Sequence, residues 1–473
     1  MTKTNIHESR FVQGLMANGS LEVTAAVLIA GFLIYSFLRM RHYKISFFPF
    51  FIIFLFPASF IFIDVGFHLF IHRIFLIIYF IFFLMKISLW PRSSADILNK
   101  TTVGAFVFIF VALTGLAVCI DYGLFFRYWL AFLSGILLYV CLLYDIESMD
   151  QVEGIVFTCI ISGFVWSAVG LSLFFIENSS FIKGNVNTMY RVGSLSGDSN
   201  YFASVLICLI QLSFFWLIRK GGKGKLFSLV AFFTMGLALV FTYSRGGYIG
   251  IGALLFLNLI FLWMYRYKLS SQAYLGKALS LLSMLVAVIL VLAVTVNTFS
   301  DRVVSIKEDK TGGSSRLFIW EDLLDVAQKN PFGVGLGNVS VYTAEHRSEY
   351  HTAGSVAHNN FLQILVETGY VGFLSYLFFL WSYFSKFIYL HRIKDREIFF
   401  WFLGTFISIV GVFVTQYFLS NVYDEMVFIQ IALLLAIFNI YEKSIKTQTE
   451  EFSTIRDGRG DQLVQTLVLS GKL

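Results

Sequence analysis

Long apolar runs alternate with short polar segments along almost the whole chain, and one long polar stretch, Ser300 to Asn359, breaks that rhythm. The runs are about 17 to 25 residues long, enough to cross a hydrocarbon core of about 30 Å as helices and too long for barrel strands. Spans are predicted over Leu21–Leu38, Ile45–Ile63, Val65–Trp90, Thr102–Ile120, Gly123–Tyr144, Gly154–Ile176 and Tyr201–Ile218. They continue over Leu226–Phe241, Gly247–Tyr265, Ala278–Phe299, Tyr370–Leu390, Ile398–Leu419 and Met426–Tyr441. The expected fold is all-α, a polytopic transmembrane helical bundle of about 12 or 13 spans with a large external loop containing amphipathic helices. Residues 1–176 read as N-terminal membrane helices, 177–442 as a core that includes the external loop 300–359, and 443–473 as a polar, mobile cytoplasmic tail without a motif.

Charge sets the orientation. The clusters Arg39 to Lys44, Arg219 to Lys225, Arg266 to Lys268 and His391 to Arg396 fall in short loops, which are expected on the cytoplasmic side. Walking outward from them places Glu177 to Asn200, Tyr243 to Gly247 and Ser300 to Asn359 together on the opposite face. Arg191, Arg245, Arg316 and His358 therefore lie outside the cytoplasm, against the bias that places arginine inside. Counting every span also puts the N-terminus outside, although Lys3 and Arg10 favour the cytoplasm; one run before Trp90 that failed to cross would remove the conflict.

Composition agrees and narrows the class. Hydrophobic residues make up 58% of the chain and charged residues 14%, and the mean hydropathy is +0.77, which excludes a water-soluble globular protein. Met1 to Ser20 lacks a short apolar core with a small-residue cleavage site, so the first span is expected to act as its own insertion signal. The net charge of +6 is accounted for by the cytoplasmic loops and calls for no nucleic-acid partner. Cys119, Cys141, Cys159 and Cys208 lie inside apolar runs without CxxC pairing and read as small buried hydrophobes.

Within the polar stretch, Leu317, Trp320, Leu324 and Ala327 recur every three or four residues, which predicts an amphipathic helix over Ser315–Lys329, stopped by Asn330-Pro331. Such a helix can lie on a bilayer surface. Phe332 to Asn338 is a glycine-rich turn that neither follows a strand nor fits Walker A spacing, so a nucleotide loop is rejected.

Three arginines delivered to one face by separate loops fit a single anionic ligand, a diphosphate above all, because guanidinium groups stay charged and bind phosphate in a fixed geometry. Taken one at a time, each could equally snorkel to lipid headgroups. Arg245 is the strongest, since Ser-Arg-Gly-Gly is expected to break the helix and let backbone amides approach an anion. His358 can accept a proton from a sugar hydroxyl, or can simply begin a helix beside Asn359 and Asn360. His346 and His351 match no metal-ligand spacing with it. Glu367, a carboxylate near the bilayer, needs a partner or a role. His68 and His72, one helical turn apart in an apolar run, read as packed or interfacial.

These segments resemble the bacterial O-antigen ligase and O-antigen polymerase superfamily. The resemblance rests on Arg191-Val192-Gly193 through Gly197-Asp198-Ser199-Asn200-Tyr201-Phe202-Ala203, on Tyr243-Ser244-Arg245-Gly246-Gly247, and on Ser315-Arg316-Leu317 with Trp320. It extends over Asn330-Pro331-Phe332-Gly333-Val334-Gly335 and over His358-Asn359, followed after nine residues by Gly369 and then by Gly372. Where the family often carries Arg-x-x-x-Leu this chain has Arg316 to Trp320, and where it carries Asp-Pro-Asn this chain has Asp198-Ser199-Asn200. Neither departure removes a charged group.

The resemblance implies a membrane glycosyltransferase that joins undecaprenyl-diphosphate-linked glycan units in a bacterial cytoplasmic membrane, with its active face periplasmic or extracellular. It implies that Arg245 and Arg316, with Arg191, hold the donor diphosphate while His358 orients or deprotonates the attacking hydroxyl. Asp198, Asn200, Asn359 and Glu367 are the remaining substrate-binding candidates. It requires no metal or nucleotide cofactor, one base in place of a glycosidase's two carboxylates, and inversion at the anomeric carbon. The implied partners are the membrane, the lipid-linked glycan, a flippase and chain-length regulators. A polymerase is the first reading and a ligase transferring the glycan to lipid A core or another acceptor is the second. A transporter would place charged or broken helices near the midplane, whereas here the candidate groups gather on one face.

Overall fold

The computed structural model describes residues 62–64, 68–89, 99–177, 191–193, 198–219, 224–268, 276, 279, 312–347, 349–350, 354–419 and 424–456. The predicted span at 21–38 lies outside these residues, as do that at 45–63 save its last two positions and that at 278–299 save residue 279. Among the described residues eight helices are long and apolar enough to cross a membrane, so the all-α, polytopic expectation holds.

The helices, in order, are α1 (Ile71–Leu89), α2 (Lys100–Ala112, extended by a 3-10 turn over Leu113–Ala117), α3 (Tyr122–Asp145), α4 (Met149–Glu177), α5 (Ser199–Ile218), α6 (Lys225–Phe241) and α7 (Arg245–Met264). They continue with α8 (Gly312–Lys329), α9 (Val339–Glu345), α10 (Asn360–Phe384, with a 3-10 turn over Ser385–Arg392), α11 (Arg396–Gln416) and α12 (Glu425–Arg456). Before α1, β1 (Phe62–Asp64) pairs antiparallel with β2 (His68–Phe70), Phe62 opposite Phe70. The single helix expected over Val65–Trp90 is therefore corrected: the helix starts at Ile71, and His68 and His72 do not share a helical face. An apolar run fits strand or helix equally by hydrophobicity, so pattern could not place this boundary. Of the polar tail, Lys443 to Arg456 continue α12 without a break, and 457–473 lie outside the described residues.

Helix α5 is the axis of the bundle, 94% of its apolar window buried, packed against α4, α6, α7 and α11. Two polar pairs fix its rotation. Gln211 and Asn258 exchange amide hydrogen bonds of 3.0 and 2.8 Å between α5 and α7, and Cys208 Sγ meets Ser408 Oγ of α11 at 3.0 Å. Away from water such pairs make any other rotation costly, because each polar group would lose its partner. Lipid offers no hydrophobic drive between helices, so close approach of small residues supplies the packing. A Cβ at Gly250 of α7 would stand 2.4 Å from Thr415 of α11, and one at Gly411 of α11 would stand 2.4 Å from Leu254 of α7.

Basic side chains close one end of the bundle. Arg219 pairs with Glu153 and with Glu397, the latter at 3.0 Å. Lys268 donates to the carbonyls of His391 and Ile393 at 2.5 and 3.1 Å. The arginine-bearing loops lie at the other end.

Helix α8 occupies the predicted place, but its buried stripe is not the predicted one. Ile319, Leu323, Val326 and Ala327 pack on Val334, Val339, Tyr350, Ala357 and Val366. Of the expected stripe, Trp320 is half-buried and Ala327 buried, whereas Leu317 and Leu324 are 56% and 48% exposed. The helix is apolar on two sides at the same spacing, and contact with the glycine-rich loop and α10 selects between them.

Helix α10 is broken at Gly369, whose φ of 68° and ψ of −174° are non-helical. The glycine-rich loop splints this break. Val334 and Gly335 donate backbone N–H to the carbonyls of Val366 and Glu367 at 3.0 and 2.9 Å, and Tyr370 donates to Pro331 at 3.0 Å. The contact is backbone on backbone: a Cβ at Gly369 would lie 2.3 Å from the Pro331 oxygen, and one at Gly333 2.5 Å from the Glu367 oxygen. Asn338 then ties the loop to the α2–α3 turn, its Oδ1 accepting from Asp121 N at 2.7 Å and its Nδ2 donating to Asp121 O at 3.2 Å.

Two stability predictions follow from this packing. Gly250→Leu is expected to lower the thermal unfolding midpoint in detergent by an overpacking cost of about 1–3 kcal/mol, while Gly252→Leu on the outward side of the same helix, where nothing lies within 4 Å of a Cβ, leaves it unchanged. Gly369→Ala is expected to cost at least about 1–3 kcal/mol from backbone strain alone, since its conformation is open essentially only to glycine; an unshifted melting curve for this variant would show that the loop does not hold the break.

Candidate functional site

At the end of the bundle opposite the basic loops, Arg191, Arg245 and Arg316 line one cavity of about 90 Å³ with Asn200, Tyr243, Ser244, Gly246, Phe418 and Leu419. In the measure where one water takes about 10–15 Å³, this is room for several waters and so for a compact charged group.

Each wall is built by local chain chemistry. Val192 anchors the segment carrying Arg191 by donating to Phe241 O at 2.9 Å. Arg191 Nε then donates to Thr242 O at 2.8 Å, and its Nη2 to Asn200 Oδ1 at 3.1 Å. Tyr243 adopts a positive φ of 49°, shared among the described non-glycine residues only by His358. Such strain needs surrounding structure to hold it, and Tyr243 is buried between its hydrogen-bonded neighbours. The turn it makes presents Ser244 as the N-cap of α7, its Oγ accepting from Gly247 N at 3.2 Å. Arg245 and Gly246 form the first turn of that helix. The expectation that Ser-Arg-Gly-Gly breaks a helix is thus corrected: with a serine cap the segment starts one, and Gly247 is small because a Cβ there would stand 2.9 Å from Ala203 of α5.

Arg316 arrives on α8. Trp320 Nε1 donates to Ala357 O at 3.0 Å, and the indole meets Tyr417 edge-on at 5.6 Å. One aromatic side chain therefore links the arginine's helix both to the residue before His358 and to the segment that closes the cavity after α11. Burial first, and then the charge of Arg245, lowers the Arg316 pKa. The guanidinium remains protonated, so two like charges share a partly desolvated space that an anion would relieve.

His358 sits at the head of α10, before Asn359, whose Oδ1 caps Leu362 N at 3.1 Å. Burial and then Arg316 push its pKa below the ordinary 6.5, with Asp198 opposing them. The imidazole is thereby neutral at pH 7, the form that can accept a proton.

The other predicted residues separate into distinct places. Asn200 lines the cavity. Asp198 caps α5, accepting from Asn200 N at 2.8 Å and Tyr201 N at 3.3 Å, while its charge reaches His358. Asn359 is a cap. Glu367 is not brought to the cavity lining: it is buried, bound by Gln363 Nε2 at 2.9 Å and by the Gly337 backbone N–H, and so fastens the glycine-rich loop to α10. His346 is stacked on Tyr342 at 4.3 Å between ring centres, with its Nδ1 2.9 Å from Tyr342 O; His351 lies outside the described residues. Tyr243, Ser244 and Gly246 stand in the sequence motif but not among the candidate site residues, and Phe418 and Leu419 are not singled out by the sequence. Ser244 could have been found as a cap before Arg-Gly-Gly, but no pattern marks Phe418 or Leu419.

No curated protein sequence matches the chain. Residues 230–377, running from α6 through most of α10 and carrying Arg245, Arg316 and His358, match the family described as O-antigen ligase, and this match over part of the chain supports the resemblance to the O-antigen ligase and polymerase superfamily.

Proposed function

We propose that this protein joins glycan units carried on undecaprenyl diphosphate, acting as a surface-polysaccharide polymerase on the periplasmic or extracellular side of a bacterial cytoplasmic membrane. The observation that carries the reading is the meeting of three arginines from separate segments around one cavity, with a neutral histidine that is outside the cavity lining but near enough to Arg316 to feel its charge. The sugar-to-phosphate bond is cleaved as the acceptor hydroxyl oxygen attacks the anomeric carbon. The bonding electrons leave with the diphosphate, Arg191, Arg245 and Arg316 stabilise the charge as it develops, and His358 takes the hydroxyl proton. Attack opposite the leaving group inverts the anomeric centre. The three guanidinium groups supply the charge neutralisation themselves, so the scheme requires no metal.

A ligase that passes the same donor to lipid A core, or to another acceptor, uses identical steps, and the family description favours it as the second reading. A flippase and chain-length regulators are the proposed partners in the polymerase role.

Purified protein reconstituted with a defined undecaprenyl-diphosphate repeat unit is expected to produce a product ladder on a gel without added lipid A core. A single core-linked product that appears only with core would establish the ligase instead, and lipid translocation without any joining would overturn the enzyme reading.

Side-chain replacement tests the roles. Arg245→Ala and Arg316→Ala are each expected to lower kcat about 10²- to 10³-fold, the loss of one preorganised group on a developing oxyanion, and His358→Ala about 10²- to 10⁴-fold. Because the base must be deprotonated and its pKa is depressed below 6.5, activity should be full at pH 7 and fall only as the medium is acidified through that lowered value. In His358→Ala this acid limb should vanish; its persistence would reassign the base.

A further inference from the structure

We propose that Asn200 is an oriented amide donor to the anionic group in the arginine cavity, with its carbonyl held by the protein so that its NH2 faces the ligand. The inference rests on the diphosphate reading above and adds what recognises the anion besides the arginines.

The orientation of an asparagine amide follows from its neighbours, and here both neighbours point the same way. Arg191 can only donate, and its Nη2 lies 3.1 Å from Asn200 Oδ1. Ser244 Oγ, 2.9 Å from the same atom, already accepts the N–H of Gly247 and so turns its own proton toward Asn200. Two donors on one atom leave the carbonyl no alternative position. Asn200 Nδ2 makes no hydrogen bond among the described residues and is not sealed from solvent, and the side chain lines the cavity. The two N–H groups therefore open onto the space shared with Arg245 and Arg316. The Asn200 backbone N–H contributes nothing there, because Asp198 has taken it.

This position separates geometry from charge. An aspartate has the same shape and still accepts from Arg191 and Ser244, but it replaces the donor face with a negative oxygen and partly neutralises Arg191. That added charge weakens anion binding whether Asn200 donates or only tethers Arg191. The two roles separate in an Arg191→Ala background: a mere tether then contributes nothing, whereas an anion donor still does, and Asn200→Ala weakens binding further.

The test is binding of inorganic diphosphate to the purified full-length protein in detergent, by calorimetry, for wild type, Asn200→Ala, Asn200→Asp, Arg191→Ala and the double variant Arg191→Ala with Asn200→Ala, with ligand-free melting as the control. Asn200→Ala should weaken binding about tenfold, the worth of a charge-assisted hydrogen bond, both with Arg191 present and with Arg191→Ala; Asn200→Asp should bind at least as weakly and melt with the wild type. Equal binding by Arg191→Ala and the double variant, or aspartate binding as well as asparagine, would overturn the proposal. So would a ligand-free Asn200→Asp that melts well below the wild type, since the carbonyl geometry would then not be preserved. A wild type that does not bind diphosphate would remove the reading of the cavity and this inference with it, an outcome distinct from normal wild-type binding with no added loss in the double variant.

Discussion

Buried peptide groups must find partners inside the protein, and the architecture of the site follows from how that requirement is met at one place. Helix α10 breaks at Gly369, and the glycine-rich loop supplies donors and acceptors that the helix there does not provide for itself. Only glycines let two backbones approach that closely. The splint leaves Asn360 to Thr368 as a short helical arm with His358 and Asn359 at its head. Glu367 fastens the arm to the loop, and Asn338 fastens the loop to the α2–α3 turn. His358 is thereby positioned by contacts that begin more than 200 residues away in the chain.

The second constraint is electrostatic. Gathering arginines in a partly desolvated space is unfavourable unless something holds them, and here their hydrogen bonds do: Thr242 and Asn200 fix Arg191, Ser244 caps the helix that opens with Arg245, and the packing of α8 delivers Arg316. The backbone is strained at Tyr243 and at His358, both beside this cluster. Strain concentrated where charge is concentrated is the mark of a preorganised site, in which the rest of the fold sustains a local conformation the chain would not choose.

The segment that matches the O-antigen ligase family carries Arg245, Arg316 and His358 but not the whole cavity. Arg191 and Asn200 come from before it, at the head of α5, and Phe418 and Leu419 from after α11. The burial of α5 among α4, α6, α7 and α11 brings these parts together, and the Gln211–Asn258 pair with the Gly250 and Gly411 contacts sets the rotation at which they meet.

The sequence by itself determined the class of the fold, since runs of apolar residues near 20 long admit only helices in lipid, and it determined which end of the bundle carries the unusual arginines, because basic loops mark the opposite side. It also identified Arg191, Arg245 and Arg316 as groups on one face. Tertiary structure decided what depends on contacts between distant segments: that β1 and β2 precede α1, that α8 buries Ile319 and Leu323 in place of Leu317 and Leu324, and that Ser244 begins a helix. It also decided that Glu367 faces the glycine-rich loop and not the cavity. Periodicity describes one segment at a time, and a helix with two apolar sides or a carboxylate near a bilayer has more than one acceptable partner. The choice is made only when another part of the chain arrives to pack against it.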